Sequence, residues 1–358
     1  MLIKYLVSSP YGDITVSKEK LLLPLDGDPL KTPYENYFSS IYIFIQNKLK
    51  SILKILSEKF NRIIFSKDIK EVLIRAEKHG FFYHPASVEF IIDREKIKFG
   101  VNVAISEIGK KWLKEEFKIL KELNQKFNPS YLPKVYFSDE INYMQMVFID
   151  WFEDYHEFHL SKNEEEKQIL TLWDFNQGYR VLSKKQAFEI YKQAAKILTY
   201  YYDIENFNQI YPWHHAAGDF VAKVEDERID VRLTTVRKYE PVIVFYEKNC
   251  ANILIALFYF FLDLTLRMRI DRLDGVGEIL WADDYCLYAT VEGFFDALKS
   301  KTDLNKFLCL LKSFNLSELK LAFEGLIKLY EGKEEYFLIT KNLEEHIKKL
   351  HTILQTLL

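Results

Sequence analysis

Between residues 81 and 149 the hydrophobic pattern changes period twice, and few folds accommodate that order. Segments 81–92 and 96–106 are rich in Val, Ile and Phe and flank Asp93-Arg94-Glu95, which predicts a β-hairpin. Residues 110–127 then place Trp112, Phe117, Leu120 and Leu123 on one side and charges on the other, the pattern of an amphipathic helix. Two further strands are expected at 134–137 and 143–149. Strand, strand, helix, strand, strand predicts a small antiparallel sheet with one helix packed against it.

The flanking segments read differently. At the start, 1–7 and 13–16 predict two short strands around Ser-Ser-Pro-Tyr-Gly. Pro33 then opens a helical stretch to residue 60, with Tyr37, Ile41, Ile45, Leu49, Leu53 and Leu56 on one stripe. A second helix is expected over 68–79, stopped by Gly80. Beyond the acidic, aromatic segment 150–154 the chain turns helical, over 164–170, 184–202, 249–269, 284–298, 304–330 with a break, and 343–357. One hairpin, 219–224 with 228–234, interrupts them. The expected organisation is α+β and two-lobed: an N-terminal extension over 1–80, a sheet lobe over 81–150 and a helical lobe over 151–358.

A chain of 358 residues suits more than one core, and 28 Phe and 23 Tyr supply bulky packing. A formal net charge of -3 leaves no global footprint for nucleic acid or an anionic membrane. Cys250, Cys286 and Cys309 are too widely spaced for a zinc pattern or a disulfide framework, so a reducing, cytoplasmic setting is expected. The first 16 residues lack the basic, apolar and small-residue regions of a secretory signal. The longest apolar run, 251–266, carries Asp263 and falls short of the roughly 20 residues a membrane span needs.

Chemistry concentrates in residues 211–223, YPWHHAAGDFVAK. Two adjacent histidines and an acid surround a turn that opens a strand. His214, His215 and Asp219 are residue types that serve as base, phosphate contact and metal ligand, and Gly218 permits close backbone approach. The same residues also suit a structural turn, His214 bonding backbone and Asp219 capping it.

The element order with this loop resembles the protein-kinase-like phosphotransferases, especially the aminoglycoside and choline kinase branch, over about 81–298. In that family an Asn binding metal closes the catalytic loop, and the catalytic Asp precedes it by five residues. The resemblance puts Asp219 in the Asn position and His214 in that of the catalytic Asp, with His215 beside it. It implies ATP and Mg²⁺ as cofactors, with His214 as base and Asp219 as metal ligand. The strand that should end in a Val-Ala-Ile-Lys type sequence reads Val103-Ala104-Ile105-Ser106, so the phosphate-binding Lys is missing there. Lys96 and Lys98, on one face of the same strand, are the substitutes, with Glu115 or Glu116 on the next helix as partner. The family's second metal-binding acid is replaced by Thr234-Thr235, leaving Asp230 as the nearby alternative and Arg232 and Arg237 as phosphate contacts. No Gly-rich phosphate loop joins the first two strands.

Trp151 to His156 correspond to the connector that binds adenine through backbone groups, which leaves no side-chain signature. Arg267, Arg269 and Arg272 with Asp271, Asp274, Asp283 and Asp284 read either as helix-end charges or as an ion network facing the loop. Two functions follow: a divergent phosphotransferase that moves a phosphoryl or nucleotidyl group from ATP to an unknown acceptor, or a pseudokinase that binds or scaffolds through the cleft or, with a protein partner, through the N-terminal extension.

Overall fold

The computed structural model describes residues 2–9, 12–77, 83–174, 178–244, 250–301 and 304–356. Gly80 and Asn249, expected at helix ends, lie outside the described residues. The chain forms two units, Met1–Glu153 and Asp154–Leu358.

The first unit is built on one sheet. Its strands are β1 (Leu2–Val7), β2 (Ile14–Thr15), β3 (Ile69–Ala76), β4 (His84–Ile92), β5 (Glu95–Ala104), β6 (Val135–Ile141) and β7 (Met144–Asp150), in the order β2-β1-β3-β4-β5-β7-β6. From β3 to β6 every pairing is antiparallel, whereas β1 runs parallel to β3. The crossover from β2 to β3 carries α1 (Lys18–Leu21), α2 (Tyr34–Asn47) and α3 (Leu49–Lys59); α4 (Glu107–Lys126) joins β5 to β6.

The hairpin and α4 lie where the alternation and the amphipathic stripe put them. The helix expected over 68–79 is instead β3, because Val72, Ile74 and Ala76 alternate inward against Val88 and Phe90 of β4. Residues 1–76 are therefore not an appendage: β1 and β3 are hydrogen-bonded into the same sheet. The single helix expected over 33–60 breaks at Lys48 into α2 and α3. Their apolar faces, with Tyr37, Phe38, Ile41, Phe44, Ile52 and Leu56, cover the face that carries Val72, Phe90, Phe99 and Phe148.

The second unit is mostly helical. It contains a three-stranded sheet, β8 (Phe158–Lys162), β9 (Gln168–Asp174) and β10 (Gly178–Val181), then α5 (Lys184–Tyr201), β11 (Asn208–Ile210), the hairpin β12 (Phe220–Glu225) and β13 (Arg228–Leu233), and β14 (Tyr239–Pro241). There follow α6 (Cys250–Arg267), β15 (Ile270–Arg272), β16 (Ile279–Trp281), α7 (Asp284–Leu298), α8 (Leu304–Ser313), α9 (Leu316–Ile327) and α10 (Glu335–Thr356). The helix expected over 164–170 is part of the β8–β9 hairpin: Leu160, Leu170 and Leu172 are buried, and Asn163 closes the turn by accepting from the Glu165 and Lys167 N–H groups. The architecture is thus mixed α+β, with a multi-stranded sheet in the N-terminal unit and a largely helical C-terminal unit. Among the described residues no helix is long and apolar enough to cross a membrane.

Helices α5 and α7 pack closely against each other in the second unit. A Cβ at Gly293 would lie 2.0 Å from the Lys192 carbonyl oxygen, so only glycine admits this backbone contact. Lys192 also pairs with Glu292 at 3.0 Å, and near the C-terminal ends Lys301 donates to the Tyr202 carbonyl. The two helices consequently run parallel, with their N-termini at the same end.

Candidate functional site

The loop over residues 211–219 enters the β12–β13 hairpin through one turn of 3-10 helix, His215–Ala217. Gly218 closes that turn in the left-handed region, at φ 66°, and a Cβ there would meet the Glu157 carboxyl at 2.7 Å. Thr234 fastens the far side. Its N–H donates to the Asp219 carbonyl at 2.7 Å, and its hydroxyl donates to the Gly218 and Asp219 carbonyls. The hydroxyl that stands where an acid was expected is thus a fastener of the loop.

Asp219 is 1% exposed, and its carboxylate is fully engaged. Arg237 grips both oxygens in a fork, Nη2 to Oδ1 at 2.7 Å and Nη1 to Oδ2, while the His214 N–H donates to Oδ2 at 2.8 Å. Arg237 also donates to the Pro212 carbonyl at 3.3 Å, tying the start of the loop to its end. Arg267 adds a second clamp. Its guanidinium donates to the Trp213 carbonyl and lies 4.8 Å from the Tyr211 ring centroid and 5.4 Å from that of Trp213.

The two histidines have different fates. His215 is buried among Phe158, Tyr191, Trp213 and Phe220, neither ring nitrogen makes a hydrogen bond, and burial holds its pKa below the usual range. It is a neutral core side chain, 2% exposed. His214 is only partly buried, and its ring has no hydrogen-bond partner among the described residues. Burial, followed by the nearby Arg267, pushes its pKa down to about 4, so it is neutral at pH 7 with roughly the basicity of a carboxylate.

Beside the loop stands a cluster that no sequence spacing announces. His159 is buried with Nδ1 3.6 Å from Asp271 and Nε2 3.4 Å from Glu157, the carboxyl that abuts Gly218. Burial opposes its charge, but the two carboxylates win and raise its pKa to about 9. Asp271 also accepts from the Leu160 and Arg272 N–H groups. A signal existed only for Asp271, within the charged run after α6; β8 and β15 bring the partners together.

That charged run is divided among local tasks. Arg269 donates to the Ala282 carbonyl and to Asp284, Arg272 donates to the Gly277 carbonyl and pairs with Glu334, and Asp274 accepts from Ser161. Only Arg267 and Asp271 reach the loop or its neighbour.

The remaining expected residues are also committed. Asp230 accepts from Tyr155 at 2.9 Å and from Arg232 at 2.7 Å. Lys96 pairs with Glu89 at 3.4 Å and is largely exposed. Lys98 sits 3.5 Å from Glu77 and 4.3 Å from the Trp151 ring centroid, and burial lowers its pKa. Glu115 is exposed on α4, whereas Glu116 is buried and accepts from the Tyr83 hydroxyl at 2.7 Å. Lys98 thus has its carboxylate partner on the segment after β3, and α4 does not supply it.

These donors do not fit a magnesium ion. Asp219 and Asp230 each face a guanidinium already in place, and among the described residues no three His, Cys, Asp or Glu side chains converge to hold a metal.

No family model matches the chain, and no curated protein matches it. Among solved structures, a Plasmodium kinase domain is similar at 11% identity and a TM-score of 0.31, covering 79% of this chain and 88% of that one. At that score the superposition adds nothing to what the strands and helices themselves show.

Proposed function

We propose that this chain is a kinase-like protein that has given up metal-assisted phosphoryl transfer and serves as a binding module. One observation carries this: the Asp219 carboxylate, the expected metal ligand, is buried in a two-point ion pair with Arg237 and accepts a third hydrogen bond from the His214 N–H. A metal ion would have to displace an organic cation that shares that buried site, and the pair would be left half broken. The guanidinium does for the loop what a bound cation would do, neutralising the acid and holding the turn.

Phosphotransfer to an unknown acceptor is the second reading, and it rests on His214. This imidazole is neutral at pH 7 and its ring has no hydrogen-bond partner among the described residues, which leaves a nitrogen open to accept a proton from a hydroxyl. On this reading Asp219 is not a metal ligand, since Arg237 already holds its carboxylate.

A thermal-shift titration with ATP and Mg²⁺, repeated with EDTA, separates the two. The binding-module reading predicts no magnesium-dependent rise in Tm. A magnesium-dependent rise that His214→Ala leaves in place, together with phosphate transfer that His214→Ala abolishes, would replace it with the second reading.

A further inference from the structure

The C-terminal unit holds a cavity of about 590 Å³, within the range of small-molecule sites, that the loop does not use. The parallel α5 and α7 both begin at it, through Lys184 and Asp284. Two positive helix ends therefore meet one space. The N-cap of α7, Asp283, makes no side-chain cap, and the Asp284 and Tyr285 N–H groups have no acceptor among the described residues.

A second feature is independent of the helix ends. Arg269 is 4% exposed and lines the cavity. Its Nε and Nη2 hold the Ala282 carbonyl, and Nη2 also reaches Asp284, but Nη1 has no acceptor among the described residues. Nη1 is not among the buried polar atoms left without a partner, so this donor is open to the cavity and available to an acceptor there. Lys184, exposed at the rim, likewise has no partner among the described residues.

Acids line the same space, so a simple anion is the wrong ligand. Asp284 is neutralised by Arg269 and Lys349. Asp283 is exposed and Glu345 is exposed, with Lys349 at 3.4 Å, and both carboxylates also act on the Arg269 charge. Positive and negative groups thus share a cavity whose walls include Leu170, Leu182 and Trp281.

We propose that this cavity binds a free amino acid or a similar small zwitterion. Arg269, Lys184 and the α7 N–H groups hold its carboxylate, Asp283 and Glu345 hold its ammonium group, and the apolar walls hold its side chain.

The test uses the full chain and titrates the individual L-amino acids by thermal shift and calorimetry, with phenethylamine and N-acetyl-L-phenylalanine as probes that each lack one charge. At least one amino acid is expected to raise Tm saturably, with both single-charge probes inactive. Lys184→Ala and Asp283→Asn, exposed changes that leave the core intact, should each weaken the affinity about tenfold, the scale of one charged contact. The proposal is overturned if no amino acid binds, if either single-charge probe binds as well as the amino acid, or if both variants bind unchanged.

Discussion

The two units neutralise buried charge in opposite ways. In the N-terminal unit it is spread as a ladder across strands: Arg75 holds Asp13 through two bonds at 2.5 and 2.7 Å, reaches Ser87 at 3.1 Å and lies 3.9 Å from Glu89, while Lys96 and Lys98 continue the ladder to Glu89 and Glu77. At the 211–219 loop of the C-terminal unit it is concentrated into one clamp, Arg237 on Asp219, with Arg267 holding the Trp213 carbonyl beside it. A ladder tolerates the loss of one rung because each charge keeps a second partner. A clamp does not, because the remaining partner is left buried and alone. The loop over 211–219 is accordingly the place where a single substitution should cost most.

The largest expected effect is Arg237→Ala or Asp219→Ala. Each should destabilise by about 3–5 kcal/mol, and the double mutant by less than the sum, as read from chemical denaturation in a double-mutant cycle. Additive losses would mean that the two side chains are not one clamp.

Titration comes next. His346 is buried against Arg269, and burial first, then that cation, push its pKa down to about 3; His214 is pushed down to about 4. The unfolded chain binds these protons near pH 6.5, so both histidines withdraw stability as pH falls from 6.5 towards their folded values. His159, raised to about 9, acts in the opposite sense, contributing fully below pH 6.5 and losing that contribution as pH rises through 9. His346→Gln should remove on the order of 4 kcal/mol of the acid-side dependence, and His159→Gln should flatten the alkaline side. A stability profile unchanged by either substitution would contradict these environments.

Arg75→Met should cost about 2 kcal/mol, less than either clamp mutant, since Glu89 keeps Lys96 and Ser87 still donates to Glu77. A loss equal to that of Arg237→Ala would erase the contrast between ladder and clamp. Smallest is Arg232→Ala at the half-exposed Asp230 pair, expected at under about 1 kcal/mol by the same denaturation assay.

Where alternation or an amphipathic stripe ran long enough, the residues alone specified the element: β4, β5, α4, α5, α7 and the β12–β13 hairpin lie within a few residues of their expected bounds. They failed where a short apolar segment suits either period. Residues 68–79 read as a helix and became β3, because a neighbouring strand was there to pair with it, and 164–170 became part of a hairpin for the same reason. At the loop, sequence singled out His214, His215 and Asp219 but not the partner of each. Arg237 lies 18 positions after Asp219, and Asp271 lies 112 after His159, so their pairing depends on how β12, β13, β8 and β15 are arranged.

Sequence by itself determined the long, strongly patterned elements, β4, β5, α4, α5, α7 and the β12–β13 hairpin, because period and turn chemistry are local. Only the tertiary structure decided which charges are spent on one another, because burial and a partner across the chain set whether an acid is an open ligand or half of a closed pair.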